Sequence, residues 1–265
     1  MGKRFFIAAI AVAVFFGALA HEYVLIASKF RVSKGDTLLL HLFVADGFNI
    51  EMERPLQESI TRKFELINEN GRIDLSVGQT DGAWPVLSRR VDFEGLGLIQ
   101  MERDYAKITL DNKKFLSYLK EDHIENIDIK KGGAGQQRER YSRYIKCLVQ
   151  SGNLKKDTLY KTITGQAFEI VLLQNPYALK PGATLSAKVY FMGKPLAGKI
   201  ITARNRTGGE AATKQTSKTN ANGICRFTIN RKGDWFIHAT QMIACPEPLE
   251  ADWESFWASY SFGIE

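Results

Sequence analysis

Short strand-type segments recur at close, regular spacing from residue 168 to residue 263, and no long helical period interrupts them. The segments are 168–173, 184–191, 197–205, 224–229, 235–242 and 253–263. Turn signals separate them: Met192-Gly193-Lys194-Pro195 reads as a tight hairpin, Ala221-Asn222-Gly223 and Lys232-Gly233-Asp234 as further reversals. This rhythm predicts an Ig-like or transthyretin-like β-sandwich over residues 167–265. Val171, Leu185, Val189, Ile200, Phe227 and Trp257 are its expected core.

The preceding stretch is also mainly β, with strands expected at 23–26, 29–32, 37–44, 62–67, 86–92, 96–101, 106–110 and 141–149. One helix is expected, capped by Asp111 or Asn112 and running from Lys113 to about Asp122, with Phe115, Leu116, Leu119 and Ile124 on its apolar stripe. Gly132-Gly133-Ala134-Gly135 marks a loop, and the polar segment 150–166 reads as a link. The expected fold is therefore all-β: two β-sandwich domains, 21–166 and 167–265, with one short helix in the first. Arg138, Arg140, Arg143 and Lys146, interleaved with Tyr141 and Tyr144, read as an edge strand protected by charge.

The chain opens with Met1-Gly2-Lys3-Arg4, an apolar run from Phe5 to Phe16, and Gly17-Ala18-Leu19-Ala20. A basic start, a short apolar stretch and small residues before the cut describe a secretory signal peptide over 1–20. The run is shorter than the roughly 20 residues that span a bilayer. A periplasmic or secreted protein beginning at His21 is expected, with no transmembrane segment after cleavage. Its net charge falls from +7 to +5 once Lys3 and Arg4 leave. That mild, dispersed excess argues against nucleic acid as a partner. Cys147, Cys225 and Cys245 are an odd set with no Cys-x-x-Cys spacing, and Cys225 with Cys245 is the best pair if a disulfide forms.

Five segments, in order, resemble an exported bacterial family described as a domain of unknown function and in some members as a NikM-like periplasmic component of nickel or cobalt uptake. They are Ala20-His21-Glu22, Arg138-Glu139-Arg140-Tyr141-Ser142-Arg143, Asn175-Pro176-Tyr177-Ala178-Leu179-Lys180-Pro181-Gly182, Gly193-Lys194-Pro195-Leu196-Ala197-Gly198, and Asp252-Trp253-Glu254-Ser255-Phe256-Trp257-Ala258-Ser259. The resemblance implies two β-sandwich domains and an accessory or binding role in metal uptake, with envelope transport components as partners. It also implies a histidine just before the methionine of the strand after the Gly-x-Trp turn. This chain has Gln241 there, and His238 three residues earlier on the other face of a strand.

A histidine at a free N-terminus offers an amine and an imidazole, a pair suited to nickel, cobalt or copper ions. His21 with a second imidazole from His238, His41 or His123 is the expected metal set, His238 being the best partner of the three, and Glu22, Gln241, Asp252 and Glu254 are accessory candidates. His41, amid leucines, reads as half-buried and His123 as a helix-end residue facing the dipole. Asp252 and Glu254 as paired carboxylates would serve glycoside hydrolysis, which needs a cleft between them. No nucleophile motif such as Gly-x-Ser-x-Gly occurs, so no catalytic residue is assigned. The alternatives to metal handling are a metal-free sandwich module that binds a protein or glycan and, behind it, a carbohydrate-active enzyme.

Overall fold

The structure is a computed structural model and describes residues 22–129, 135–153 and 156–265. Its spine is an antiparallel pair of long strands, β8 (Gly95–Asp111) and β9 (Gln136–Ser151), which runs from Gly95 opposite Ser151 to Asp111 opposite Gln136. On the β8 side the sheet continues through β5 (Thr61–Asn68) and β6 (Gly71–Asp74). On the β9 side lies β17 (Trp253–Ile264), parallel to β9, then β16 (Gly233–Ala244), β13 (Ile200–Arg206) and β14 (Thr213–Lys218). The short β2 (Arg31–Val32) pairs with the end of β9 and makes this a nine-stranded sheet.

That sheet crosses the expected boundary at residue 166. Strands from 21–166 and from 167–265 hydrogen-bond to one another, and a single apolar cluster extends from Val24 to Ile264. Two independent sandwiches would leave β9 and β17 with open edges, and pairing them removes both. The Arg138–Lys146 run is thus internal rather than an edge strand. Three of its charges are paired: Arg138 with Asp252, Arg140 with Glu254, and Lys146 with Glu169.

Two four-stranded sheets flank the large one. The first contains β1 (Glu22–Ala27), β3 (Thr37–Asp46), β4 (Asn49–Arg54) and β7 (Leu87–Arg90). The second contains β10 (Phe168–Leu172), β11 (Thr184–Phe191), β12 (Lys194–Pro195) and β15 (Ile224–Thr228). Side chains alternate along β17 and identify the two faces. Ser259 and Ser261 donate to the carbonyls of Tyr23 and Leu25 in the first sheet. Phe256 points the other way and meets Phe191 of the second sheet edge to face, with ring centroids 5.1 Å apart. β17 is consequently buried on both faces along almost its whole length. The protein is all-β in sandwich-like layers, and one α-helix occurs among the described residues.

That helix, α1 (Asn112–Glu121), starts where expected: the Asp111 side chain accepts from the Lys114 amide at 2.8 Å and caps it. Of the expected stripe Phe115, Leu119 and Ile124 are buried and Leu116 is exposed, while Tyr118 joins the buried face. Tyr118 stacks on Trp257 and Phe115 on Trp253, so the helix docks on the β17 face that the first small sheet also covers. Of the expected core, Val171, Leu185, Val189, Phe227 and Trp257 are buried, while Ile200 is half-buried and its neighbour Ile201 takes the core place. All three cysteines are buried as free thiols, so Cys225 and Cys245 are not joined.

Candidate functional site

The C-terminal end of α1, the start of β1 and the neighbouring faces of β13 and β16 enclose a cleft of about 470 Å³. Glu22, Asp122, His123, Arg204, Lys214 and His238 line it.

Glu22 is the first residue of β1, and its buried carboxylate accepts from the Gly47 amide at 3.1 Å. Its other oxygen lies 3.2 Å from Nε2 of His238. Burial raises the Glu22 carboxyl above its ordinary range despite that amide and the nearby Arg204 charge. Burial also pushes His238 down to about 3, and the charges of Arg204 and Lys214 add to the effect. Both groups are driven toward their neutral forms, so this contact is no strong ion pair. The imidazole stands uncharged at neutral pH, as a metal ligand must.

The end of α1 supplies the opposite wall. The His123 amide donates to the Lys120 carbonyl and the Ile124 amide to the Leu119 carbonyl, which is the Schellman arrangement of a helix terminus. His123 occupies the left-handed position of that motif, with φ of 52°, where glycine is usual. Its Nε2 is buried and has no hydrogen-bond partner among the described residues, and burial followed by Lys214 and Lys199 lowers its pKa. Asp122 accepts from the Thr240 hydroxyl at 3.2 Å. Burial and the nearby Glu22 charge hold its carboxyl well above the ordinary value. Lys199 donates to the His123 carbonyl at 2.9 Å and is pushed down to about 8 by burial.

The cleft therefore brings together two carboxyls and two imidazoles whose ionisation it suppresses, beside three basic side chains. Among the described residues, no three histidine, cysteine or acidic groups converge closely enough to hold an ion. Of the expected ligands, His238 and Glu22 meet here, and His21 lies outside the described residues. Gln241 does not line the cleft, because it points to the opposite face of β16 from His238.

Asp252 and Glu254 are elsewhere and occupied. Arg138 holds Asp252 through a guanidinium contact at 2.9 Å and keeps its carboxyl below the usual range, while Arg140 holds Glu254 at 2.7 Å. His41 is half-buried and bonded to Glu53 at 2.6 Å. Trp235 is buried on the β16 face away from the cleft, and Trp253 and Trp257 pack on α1.

The sequence reading missed Asp122 as a cleft residue; His123 is the helix-end residue it was read as, and its ring also lines the cleft, as its place among the second-imidazole candidates allowed. Their only signal was a polar pair that follows the helix and precedes Ile124.

A family model described as "Domain of unknown function (DUF4198)" matches residues 18–243. The chain belongs to this family. No curated protein matches. Among solved structures, the DUF4198 chain is similar to the D0-D1 domain of intimin at 13% identity, over 89% of this chain and 96% of that one, with a TM-score of 0.22. It is also similar to a tetra-tandem repeat in the extending region of a large adhesion protein, at 10% identity over 92% and 49% of the two chains, with a TM-score of 0.21. No helix among the described residues of this DUF4198 protein is long and apolar enough to cross a membrane.

Proposed function

We propose that this DUF4198 protein is an exported accessory protein that binds a transition-metal ion, nickel, cobalt or copper, for uptake or handling in the cell envelope. His238 and His21 are the principal ligands in this reading, and His123, Glu22 and Asp122 complete the surroundings. One observation carries it: Nε2 of His123 is buried in the cleft without a hydrogen-bond partner among the described residues, and Nε2 of His238 has only the Glu22 carboxyl beside it, at 3.2 Å. Buried imidazole nitrogens normally find a partner, and a metal ion is a partner that prefers them uncharged. Glu22 beside His238 adds a second argument, since His21 directly precedes it in the chain. The donor set of imidazoles, carboxylates and a terminal amine suits borderline divalent ions. Their binding would release protons from the raised carboxyls. The NikM-like resemblance points the same way.

Calorimetric titration of protein that begins at His21 with nickel(II), cobalt(II) or copper(II) is expected to show one saturable site. His238→Ala should weaken binding by more than about tenfold, the lower end of the effect seen for groups that support a bound metal. His123→Gly is the sharper variant. It should weaken binding yet leave the fold as stable or more so, because glycine relieves the left-handed backbone position. One extra residue before His21 turns the amine into an amide and should weaken binding too. Absence of binding, or binding indifferent to all three changes, would overturn the assignment.

A further inference from the structure

On the far side of β1 from Glu22, three arginines gather around two tyrosines without a carboxylate partner. Arg103 of β8 and Arg143 of β9 are directly opposite in the strand register. Their guanidinium carbons lie 5.6 Å and 3.6 Å from the centre of the Tyr23 ring. Arg143 also lies 4.5 Å from the Tyr141 ring. Arg54, at the end of β4 and three residues before the Gln57 that accepts from Arg103, belongs to the same cluster, and its charge and that of Arg143 press on Arg103, which burial already holds down to about 10. Arg103 is 2% exposed, and only its Nη2 is engaged, donating to Gln57 at 2.6 Å. Nε and Nη1 of Arg103, Nε of Arg54 and Nε of Arg143 are buried with no acceptor among the described residues.

The tyrosine rings account for the guanidinium faces, since a cation–π contact uses the plane of the group. They leave the in-plane N–H donors unanswered. The neighbouring acids are committed elsewhere: Glu53 to His41, Glu102 to Lys63 at 3.7 Å, Asp104 to Arg62 at 2.8 Å, and Glu139, which the Arg143 charge reaches, to the hydroxyls of Tyr118 and Ser255. Converging like charges with unsatisfied buried donors are costly unless an anion joins them. Guanidinium forks match the paired oxygens of phosphate and carboxylate. Arg54, Arg143, Tyr23 and Tyr141 are only half-buried, so the cluster keeps a side open to solvent.

We propose that Arg54, Arg103 and Arg143 form a binding site for an oxyanion, the phosphate or carboxylate group of a small solute. The site is independent of the metal reading, because none of its residues lines the cleft.

The test is thermal unfolding and calorimetry of the whole protein at constant ionic strength, with chloride as the reference and phosphate, sulfate and citrate as probes. At least one probe is expected to raise the unfolding midpoint saturably and to give binding heat where chloride gives none. Citrate alone would assign carboxylates, and phosphate with sulfate would assign tetrahedral oxyanions. Arg143→Met and Arg54→Met should each weaken that binding roughly tenfold or more, as expected for loss of a charge-assisted hydrogen bond. Arg54 is half-buried on an outer strand, so its variant remains informative if Arg143→Met fails to fold. Without probe, Arg54→Met should be at least as stable as the parent because it relieves repulsion. No response of the parent to any of the three probes, or an equal response in Arg54→Met, would overturn the proposal.

Discussion

Replacing Lys146 with methionine is expected to lower the unfolding free energy by about 3–5 kcal/mol, the usual cost of leaving one half of a buried ion pair behind. Lys146 and Glu169 are each 1% exposed and meet at 2.5 Å between the large sheet and β10. The ammonium also donates to the carbonyl of Ile170 at 3.3 Å. The same carboxylate accepts from the amides of Thr164 and Gly165 and from the Thr164 hydroxyl. It thereby ties the segment before β10 to the middle of the large sheet. In Lys146→Met the carboxylate keeps those three donors but loses its only buried cation. The double variant Lys146→Met with Glu169→Gln should recover much of the loss, because a neutral amide oxygen still accepts from the loop without an unpaired charge. Urea unfolding of the parent, the two single variants and the double variant gives the coupling directly. Equal losses in Lys146→Met and the double variant would mean that packing, not charge pairing, sets the cost.

Most strands of the C-terminal half were legible because their turns carry strong local chemistry, as at Met192-Gly193 and Asn222-Gly223, whereas the polar β14 was missed. The helix start was legible because Asp111 is a good cap. The pairing of β9 with β17 was not, since alternation reports sidedness but not the neighbour across the ladder. β17 is a case in point. Ser255, Ser259 and Ser261 alternate with Phe256, Tyr260 and Phe262, and all three serines are buried and hydrogen-bonded. The same long-range pairing turned Arg138 and Arg140 from expected edge protectors into partners of Asp252 and Glu254. It thereby removed both acids from the candidate ligands. A one-residue phase error exchanged Ile200 for Ile201, because adjacent strand residues face opposite sides.

The cleft was half legible. Glu22 and His238 were singled out by type and position, and they do meet. Asp122 was hidden and His123 ranked behind His238 because their place in the cleft depends on how the helix terminates. That ending uses a left-handed histidine where sequence patterns look for glycine. The arginine cluster had no local signature either, as its members come from three strands that fold brings side by side.

Glu139 gives the helix-bearing face a pH response. It is 2% exposed and accepts from the Tyr118 hydroxyl at 3.0 Å and from the Ser255 hydroxyl, which in turn accepts from the Trp257 indole at 2.9 Å. Burial outweighs these hydrogen bonds and the charge of Arg143, and it raises the carboxyl from its ordinary 4.5 to about 7. The folded protein therefore keeps a proton that the unfolded chain has released between those two values. Its stabilising effect is complete below the lower value and is lost as pH rises through the upper one. At 1.36 kcal/mol per pH unit the difference amounts to about 3 kcal/mol.

Glu139→Gln mimics the protonated acid: its amide oxygen accepts from the same two hydroxyls and never ionises. The variant is expected to be more stable than the parent above about pH 8, by up to that amount, and to converge with it near the lower value. Urea unfolding across this range would show the gap opening with rising pH. A gap that stays constant would mean that the effect comes from packing around Tyr118 rather than from the carboxyl proton. Because Tyr118 is one of the two rings through which α1 grips the large sheet, loss of the proton should loosen the helix first. Amide exchange over residues 112–121 should then accelerate between about pH 6 and 8 beyond its intrinsic base-catalysed rise, and should not do so in Glu139→Gln.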